Sequence, residues 1–291
     1  MSEIAGRNLT DTHPRPYTWT VTQSDMPTVS QYPLVDTHAH LEELPDASAV
    51  LEQARRAGVA AVVAVGSDFE SNLKVLDLAQ RFTGVVYPAL GLHPSEIGPM
   101  GASGVDRTLQ QIDAHLPQAV ALGEVGLDYH KRIRAVADKD RQQAVLGQLL
   151  RLARQHGRPA IIHSRYAWAD ALALVQESGL GTAVFHWFTG PSSVLRGIVE
   201  AGYYLSATPA VEYHEEHRRA VRQASLDRLL LETDSPVSYA RADSPERYQA
   251  QPADVLRVLR VVAALRGLSE EALAEATTAN AQRLFGLGRV V

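Results

Sequence analysis

Eight short apolar runs, each about the length of a buried strand, recur along the chain between residues 34 and 232. They are Leu34–His38, Val59–Gly66, Val85–Leu92, Ala119–Leu127, Pro159–His163, Thr182–Phe188, Tyr203–Ala207 and Leu229–Glu232. Continuous apolar runs of this length are typical of strands that are buried on both faces. A buried parallel sheet is therefore the first expectation for this chain.

The stretches between these runs carry apolar residues at helical spacing. Residues 47–57 place apolar side chains on one face and are followed by Gly58, and residues 140–156 do the same before Gly157. Pro191 is predicted to lie in the first turn of another helix. The inner face of that helix would consist of Val194, Leu195, Ile198 and Val199. Residues 253–284 are predicted to hold two or three further helices.

Eight strand and helix repeats in about 260 residues favour an α/β fold, the (β/α)8 TIM barrel. An open doubly wound sheet is the alternative, but no glycine-rich phosphate-binding turn follows the first run. We therefore expect residues 34–291 to form a single TIM-barrel domain. Residues 1–33 are poor in apolar residues and have no period, which predicts a flexible leader.

Composition excludes several classes of protein. The chain has no cysteine, so it can form neither disulfides nor thiolate metal sites, and any metal must be held by His, Asp or Glu. The longest apolar run, Val59–Gly66, is less than half of the ~20 residues that a membrane helix needs, and residues 1–33 do not resemble a secretion signal. A cytoplasmic protein is expected. The net charge of −5 argues against coating of duplex DNA by bulk charge, although local binding of a nucleic acid stays possible.

Polar residues follow the first apolar run at alternate positions. Asp36, His38 and His40 stand at i, i+2 and i+4, so a strand sends their side chains to one face. Two imidazoles on one face can hold a metal ion. Asp36 is predicted to orient one of these imidazoles from behind.

Other strand ends carry further metal-binding groups. They are Glu124 after the fourth run, His163 after the fifth, His186 after the sixth, and Glu232 and Asp234 after the eighth. Each has an alternative interpretation, since a single histidine is more often a hydrogen-bonded core residue, Glu124 alone suits a helix cap, and Asp234 suits a turn. Together, four imidazoles and two carboxylates exceed the four ligands of a structural zinc. They predict two divalent ions with Glu124 as the bridge. The remaining histidines, such as His13, His115, His156, His214 and His217, are assigned to the surface.

Six motifs in order resemble the TatD family of metal-dependent deoxyribonucleases, within the amidohydrolase superfamily. They read Asp-Thr-His-Ala-His at 36–40, Gly-Leu-His-Pro at 91–94, Gly-Glu-Val-Gly-Leu-Asp at 123–128, Ile-His-Ser-Arg at 162–165, His-Trp-Phe-Thr-Gly at 186–190 and Glu-Thr-Asp-Ser-Pro at 232–236. The resemblance covers the chain from Leu34 onward.

The resemblance implies a distorted TIM barrel with two metals. His38, His40, Glu124 and Asp234 would surround the first metal, and Glu124, His163 and His186 the second. His93 and Arg165 would face the substrate phosphate. Asp234 and Glu124 are the candidate catalytic residues, with Asp234 as proton acceptor and shuttle. Asp128 and Glu232 are expected to support the site from behind, and Glu232 is alternatively a partner in the proton transfer.

The chain departs from the family pattern in three places. Trp187 replaces a usual cysteine, and Tyr129 with His130 replaces a usual pair of aromatic residues. Trp187 and Tyr129 are therefore candidates for stacking on a base or sugar. Arg241 and Arg247 are candidates to substitute for an arginine-rich loop after Pro236. Imidazole-rich ligation favours zinc, manganese, iron or nickel over magnesium.

Three functions remain open from the sequence. The leading hypothesis is a hydrolase that acts as a 3′-5′ exodeoxyribonuclease on single-stranded or frayed DNA by means of a metal-activated water. The second is a D-aminoacyl-tRNA deacylase or another ester or amide hydrolase on the same two-metal barrel. The third and weakest is a non-catalytic binding module, since all six metal-binding residues are present. The sequence makes no prediction of the oligomeric state.

Overall fold

A computed structural model describes residues 29–241 and 244–288 of the chain. The predicted leader, residues 1–33, therefore lies outside the described residues except for positions 29–33. Those few residues contact the barrel: the Ser30 amide donates to the Ala57 carbonyl at 2.9 Å, and Tyr32 packs against the core. The division into a leader and a single barrel domain stays a prediction.

The predicted (β/α)8 TIM barrel is confirmed. The strands are β1 Leu34–Ala39, β2 Val59–Val65, β3 Val86–Leu92, β4 Ala121–Gly126, β5 Ala160–His163, β6 Ala183–Phe185, β7 Tyr204–Ala207 and β8 Leu229–Leu231. Each strand pairs in parallel with the next one in the chain. The first and last strands meet through a bridge between Ala39 and Ser235. The barrel is thus joined at the carboxyl ends of its strands.

Helices alternate with the strands around the outside. They are α1 Ala47–Arg56, α2 Phe69–Arg81, α3 Pro94–His115, α4 Lys131–Arg134, α5 Lys139–His156, α6 Trp168–Glu177, α7 Ser192–Glu200, α8 Glu215–Gln223, α9 Val255–Arg266 and α10 Glu270–Phe285. The helices predicted at 47–57 and 140–156 correspond to α1 and α5, and α9 and α10 lie in the predicted tail. Among the described residues, no helix combines the length and the apolar character that crossing a bilayer requires.

Apolar side chains fill two separate layers. The smaller cluster takes residues from all eight strands, for example Val63, Ile161 and Val184, and therefore lies inside the barrel. Leu284 and Phe285 at the end of α10 join this cluster. The larger cluster lies between the strands and the surrounding helices. Because apolar side chains pack against both faces of the strands, the positions of the strand ends are well defined.

Several predicted details are wrong. The sixth run was expected to stay extended to Phe188, but β6 ends at Phe185 because the backbone turns at Trp187, whose φ is +40°. Pro191 is the N-cap residue of α7 and not a first-turn residue. Val199 points outward with 36% of its surface exposed, whereas Leu195 and Ile198 are buried.

An antiparallel hairpin was not predicted at all. Its strands are β9 Ser238–Arg241 and β10 Ser244–Gln249. Tyr239 of β9 is fully buried and contacts the rings of Trp187, in the loop after β6, and Tyr248 of β10. The hairpin is thus attached to the loop that follows β6.

His217 is a buried residue and not a surface residue, which corrects the prediction. Its ring has 1% of its surface exposed on the inner face of α8. Nε2 accepts a hydrogen bond from the Thr208 amide at 3.1 Å, and Nδ1 donates to the Phe188 carbonyl at 3.0 Å. His217 therefore connects α8 to the segments that follow β6 and β7.

Candidate metal centre

A cavity of about 1060 Å³ opens at the carboxyl ends of the barrel strands. Five of the six predicted metal ligands line it, namely His40, Glu124, His163, His186 and Asp234. The sixth, His38, is fully buried directly behind them, with its Nε2 3.4 Å from Asp234 Oδ1. The structure therefore brings all six residues together where a barrel enzyme carries its active site.

Four atoms from three strands form a first group. His38 Nε2 lies 3.4 Å from His40 Nε2 and 3.6 Å from Glu124 Oε2, and His40 Nε2 lies 3.5 Å from Glu124 Oε2. Asp234 Oδ1 is 3.4 Å from His38 Nε2 and 3.7 Å from His40 Nε2. Ligands at about 2.1 Å from one tetrahedral ion are themselves about 3.4 Å apart. The distances from His38 and His40 to each other and to the two carboxylates thus match the spacing of ligands around one ion.

A second group surrounds the other oxygen of the same glutamate. Glu124 Oε1 lies 2.7 Å from His186 Nε2 and 2.8 Å from His163 Nδ1, and the two imidazole nitrogens are 3.4 Å apart. His93 Nε2 is 3.8 Å from Glu124 Oε1. The two oxygens of Glu124 therefore each face a different group of candidate metal ligands.

The first and last strands are fixed to each other beside the first group. The Asp234 amide donates to the His38 carbonyl at 2.9 Å, and the His40 amide donates to the Ser235 carbonyl at 2.7 Å. Asp234 adopts a left-handed conformation with φ +50°, which costs roughly 1–2 kcal/mol for a residue other than glycine. The backbone contacts hold this conformation and aim the carboxylate at the two histidines.

Asp36 performs a different task from the one predicted. Its carboxylate does not orient an imidazole, because its oxygens accept hydrogen bonds from the backbone amides of His38 and Thr233 and from the Thr233 hydroxyl at 2.6 Å. The side chain is fully buried. Asp36 therefore ties β1 to the segment after β8 and positions the backbone of two candidate ligands.

Three other carboxylates lie behind the imidazoles. Asp128 Oδ2 is 3.3 Å from His163 Nε2, and Glu232 Oε1 is 3.5 Å from His186 Nδ1. Glu232 also accepts a hydrogen bond from the Trp187 amide at 3.2 Å. A carboxylate on the far nitrogen of an imidazole fixes its ring and its tautomer. The supporting positions predicted for Asp128 and Glu232 fit these contacts.

Glu42 is the third such carboxylate, and the sequence reasoning missed it. Its side chain is 3% exposed, and Oε1 lies 3.8 Å from His40 Nδ1. Both Glu42 oxygens and His40 Nδ1 are buried and have no hydrogen-bond partner within 3.5 Å. No local pattern in the sequence distinguishes Glu42, because its role follows only from its distance to His40.

The charged states of the carboxylates and imidazoles in the site depend on one another. Burial raises the pKa of Glu124, but the imidazoles of His186, His93 and His163 outweigh burial and hold the pKa well below its ordinary value. Burial lowers the pKa of His186, yet the nearby Glu124 and Glu232 raise it well above the ordinary value. Buried carboxylates that favour nearby positive charge fit divalent cations, and the mixed nitrogen and oxygen donors suit zinc and similar ions.

Arg165 and His93 both line the cavity beside the two groups. The Arg165 side chain is 50% exposed, and its Nε and Nη2 donate to Asp128 Oδ2 at 3.0 and 2.7 Å. Asp128 is fully buried. The remaining guanidinium donors are thus free to face the cavity from a fixed position.

Other expected substrate contacts differ from the prediction. Trp187 lines the cavity, but Tyr129 does not, because its hydroxyl donates to Asp170 Oδ2 at 2.7 Å outside the cavity wall. Arg247 donates to Ser238 within the hairpin, and the Arg241 side chain lies outside the described residues.

Three residues line the cavity that the sequence did not predict there. His214, assigned to the surface, lines the cavity. Tyr166 and Trp168 also line it and were not predicted.

Comparison with known proteins extends over the whole barrel. A family model described as TatD related DNase matches residues 35–286. The chain is 35% identical over 265 residues to the Homo sapiens protein named Deoxyribonuclease TATDN3, covering 87% of this chain and 94% of that protein. It is 34% identical over 264 residues to the Escherichia coli K12 protein named Uncharacterized metal-dependent hydrolase YcfH, covering 87% and 95%. The crystal structure of YJJV, a TatD homologue from Escherichia coli K12, is similar with a TM-score of 0.79 and 29% identity, covering 88% and 98%.

Proposed function

The chain belongs to the TatD family of metal-dependent hydrolases, and from that membership we propose that it is a deoxyribonuclease which removes nucleotides from the 3′ end of single-stranded or frayed DNA. The observation that carries the proposal is the Glu124 carboxylate, which presents one oxygen to each of two donor groups. Paired divalent ions suit in-line displacement at phosphorus, because they contact both the attacking and the leaving oxygen.

The proposed ligands are those of the two groups. His38, His40, Glu124 and Asp234 would hold one ion, and Glu124, His163 and His186 the other. When bound, such ions lower the pKa of a water molecule toward ~7 and stabilise negative charge on the phosphate. We expect zinc, manganese, iron or nickel in preference to magnesium, because magnesium prefers oxygen ligands. Full activity of a protein that contains magnesium alone would contradict that expectation.

Residues of the chain itself bind the substrate and move the proton. Arg165 and His93 are proposed to bind the phosphate, Arg165 as a guanidinium already fixed by Asp128. Asp234 directs Oδ1 to the first group, and its second oxygen is proposed to accept the proton from the attacking water. Glu232 is occupied by the Trp187 amide and faces His186, so we assign it to positioning and not to proton transfer.

The cavity is large enough to admit the end of a nucleic acid. Pockets for small ligands commonly measure about 300–1,000 Å³, and the cavity here measures about 1060 Å³ and opens to the surface. This volume fits the end of a DNA strand and the end of an aminoacyl-tRNA alike, so the substrate test distinguishes the two functions.

The test compares two substrates. Metal-loaded protein is incubated with a single strand labelled at its 3′ end and, separately, with a D-aminoacyl-tRNA; a strand labelled at its 5′ end records whether shortening proceeds stepwise. We expect release of 3′ nucleotides and a ladder from the 5′-labelled strand, both abolished in Glu124→Gln. Release from the aminoacyl-tRNA with none from the strands would replace the proposal with the deacylase alternative. Activity on neither substrate, with tight binding of a strand, would favour the non-catalytic module.

A further inference from the structure

Tyr166 is the most exposed large apolar or aromatic side chain among the described residues, with 58% of its surface exposed. It follows Arg165 in the loop between β5 and α6, and it lines the cavity. Its φ is +58°, in the left-handed region that residues other than glycine rarely adopt. A left-handed backbone and an exposed aromatic ring both lower the stability of the fold. We therefore infer that Tyr166 serves a function at this position.

Backbone strain in the described chain is confined to this cavity. Only Tyr166, Trp187 and Asp234 among its residues other than glycine have a positive φ, and all three line the cavity. Asp234 is a candidate metal ligand, and Trp187 follows the ligand His186. Unfavourable backbone conformations persist at functional sites, where the surrounding structure holds them. Tyr166 therefore belongs with the functional wall of the cavity.

The loop that carries Tyr166 is held rigidly. The Tyr129 amide donates to the Arg165 carbonyl at 2.9 Å, and the Ala167 amide donates to the Ser164 carbonyl at 3.0 Å. The Tyr166 ring lies near-parallel to that of His130, with centroids 6.2 Å apart, and edge-on to that of Trp168 at 5.8 Å. The Tyr166 ring thus packs against two other rings, which limit the orientations that it can adopt.

A cation and an aromatic face stand side by side at this wall. Arg165 is half exposed with donors available, and Tyr166 is the next residue. Tyr166 is three residues after the candidate ligand His163, so the two Cα atoms lie within about 11 Å of each other. A nucleotide presents the complementary pair of groups, a phosphate and a flat base. Stacking of bases on aromatic side chains is a general means of binding single strands without reading their sequence.

We propose that Tyr166 stacks on the base of the nucleotide whose phosphate is bound by Arg165. This inference rests on the proposed deoxyribonuclease function and assigns its base subsite. It replaces the role expected for Tyr129, whose hydroxyl is engaged with Asp170 outside the cavity.

The test isolates the contribution of the base. Isothermal titration of the metal-loaded protein is performed with deoxyadenosine 5′-monophosphate and with the tetrahydrofuran 5′-phosphate that lacks the base. We expect wild type to bind the nucleotide roughly tenfold more tightly than the base-free phosphate. Tyr166→Ala and Tyr166→Leu should abolish that ratio and leave the affinity for the base-free phosphate unchanged, whereas Tyr166→Phe should preserve it.

Tyr213→Ala is the matched control, because Tyr213 is also an exposed tyrosine, with 41% of its surface exposed, but does not line the cavity. An unchanged ratio in Tyr166→Ala, or equal affinity of wild type for both ligands, overturns the stacking proposal even if wild type releases nucleotides from DNA. The protein could instead cleave no DNA and still show an affinity ratio between nucleotide and base-free phosphate that depends on Tyr166. That result would sustain the stacking proposal and overturn the proposed deoxyribonuclease function.

Discussion

Glu124 is the single residue on which both donor groups depend. Its side chain is 5% exposed and has no positively charged side chain other than imidazoles within 4 Å among the described residues. A buried carboxylate is costly unless it is paired with positive charge. The imidazoles provide part of that pairing, and divalent ions would provide the rest. A buried carboxylate at the centre of the cluster thus favours the binding of cations.

Asp234→Asn tests the proposed proton acceptor. The amide keeps an oxygen that can face the first group, but it cannot take up a proton at neutral pH. We expect bound metal, measured by elemental analysis, to stay near the wild-type level while kcat on a single strand falls by about 10²-fold or more. Asp106→Asn, on the exposed face of α3, is the control. A fully loaded Asp234→Asn protein with the wild-type rate would show that another group accepts the proton.

Glu42→Leu tests whether Glu42 orients His40. Loss of a carboxylate behind a ligating imidazole typically weakens metal binding by about 10- to 100-fold. Glu42→Gln should weaken it less, since its amide oxygen can still face His40 Nδ1. The metal-free Glu42→Leu protein should be more stable than metal-free wild type, because a buried carboxylate 3.8 Å from the nearest imidazole nitrogen has been removed. Chelator competition and urea unfolding measure the two effects, with the exposed Glu70→Gln as control.

At the residue level, the sequence reveals ligands more readily than their support. His38, His40, His163 and His186 stand out because polar side chains at the ends of apolar strands are unusual. Glu42 and Tyr166 do not stand out, since each lies in a polar turn where acidic and aromatic residues are common. Their roles depend on distances to His40 and Arg165 that no local pattern contains.

At the level of elements, the loops after the strands differ most from expectation. The sixth run reads as one extended segment to Phe188, but its last three residues form a loop that presents His186 and Trp187 to the cavity. Burial alone cannot distinguish a strand from a loop here, because His186 and Phe188 are as buried as the residues of the strands. The hairpin Ser238–Gln249 was missed since its residues lack a clear alternation of apolar and polar side chains. By contrast, the bounds of β1, β2 and β5 were predicted within one or two residues.

His217 on α8 makes the packing of three elements sensitive to pH. Burial lowers its pKa to about 4 despite the hydrogen bond to the Phe188 carbonyl. Nε2 must stay unprotonated to accept the bond from the Thr208 amide. In the unfolded chain the pKa returns to about 6.5, so between pH 6.5 and pH 4 the unfolded state binds more protons and stability falls as pH falls.

We expect His217 to account for a loss of about 3 kcal/mol in the free energy of unfolding between pH 7 and pH 4. His217→Gln should therefore show a shallower pH dependence than wild type in urea unfolding over this range, although its stability at pH 7 is lower. His115→Gln, on a partly exposed helix end, should keep the wild-type slope. Equal slopes for wild type and His217→Gln would contradict the assignment.

For the whole molecule, the net charge of −5 does not oppose an anionic substrate. Part of the acidic excess is concentrated in the site, where Glu124 and Asp234 belong to the candidate metal-binding groups. Two divalent ions would add four positive charges there. With two ions bound as proposed, the field that a phosphate meets on approach would be set by the loaded cavity and by Arg165, and not by the average charge of the surface.

Removal of metal is expected to lower the stability of the entire barrel. An ion that binds only the folded state adds about 2.7 kcal/mol at a free concentration of 100 times its Kd. Chelation should then lower Tm by roughly 5–10 °C in a chain of this size, and readdition of metal should restore it. Glu124→Gln should respond little to the chelator. A wild-type Tm that does not change on chelation would argue against metal binding at this site.

The contacts between β1 and the segment after β8 determine how late in synthesis of the chain the site can form. Asp36 and Thr233, which form one of these contacts, are 197 residues apart in sequence. A ribosome that adds about 5–20 residues per second needs about 10–40 s between them. His38 and His40 therefore emerge long before Asp234, and no nascent fragment that ends before the eighth strand can complete the first group. Any chain truncated before Asp234 therefore lacks one member of the first group, however much of the barrel it has already formed.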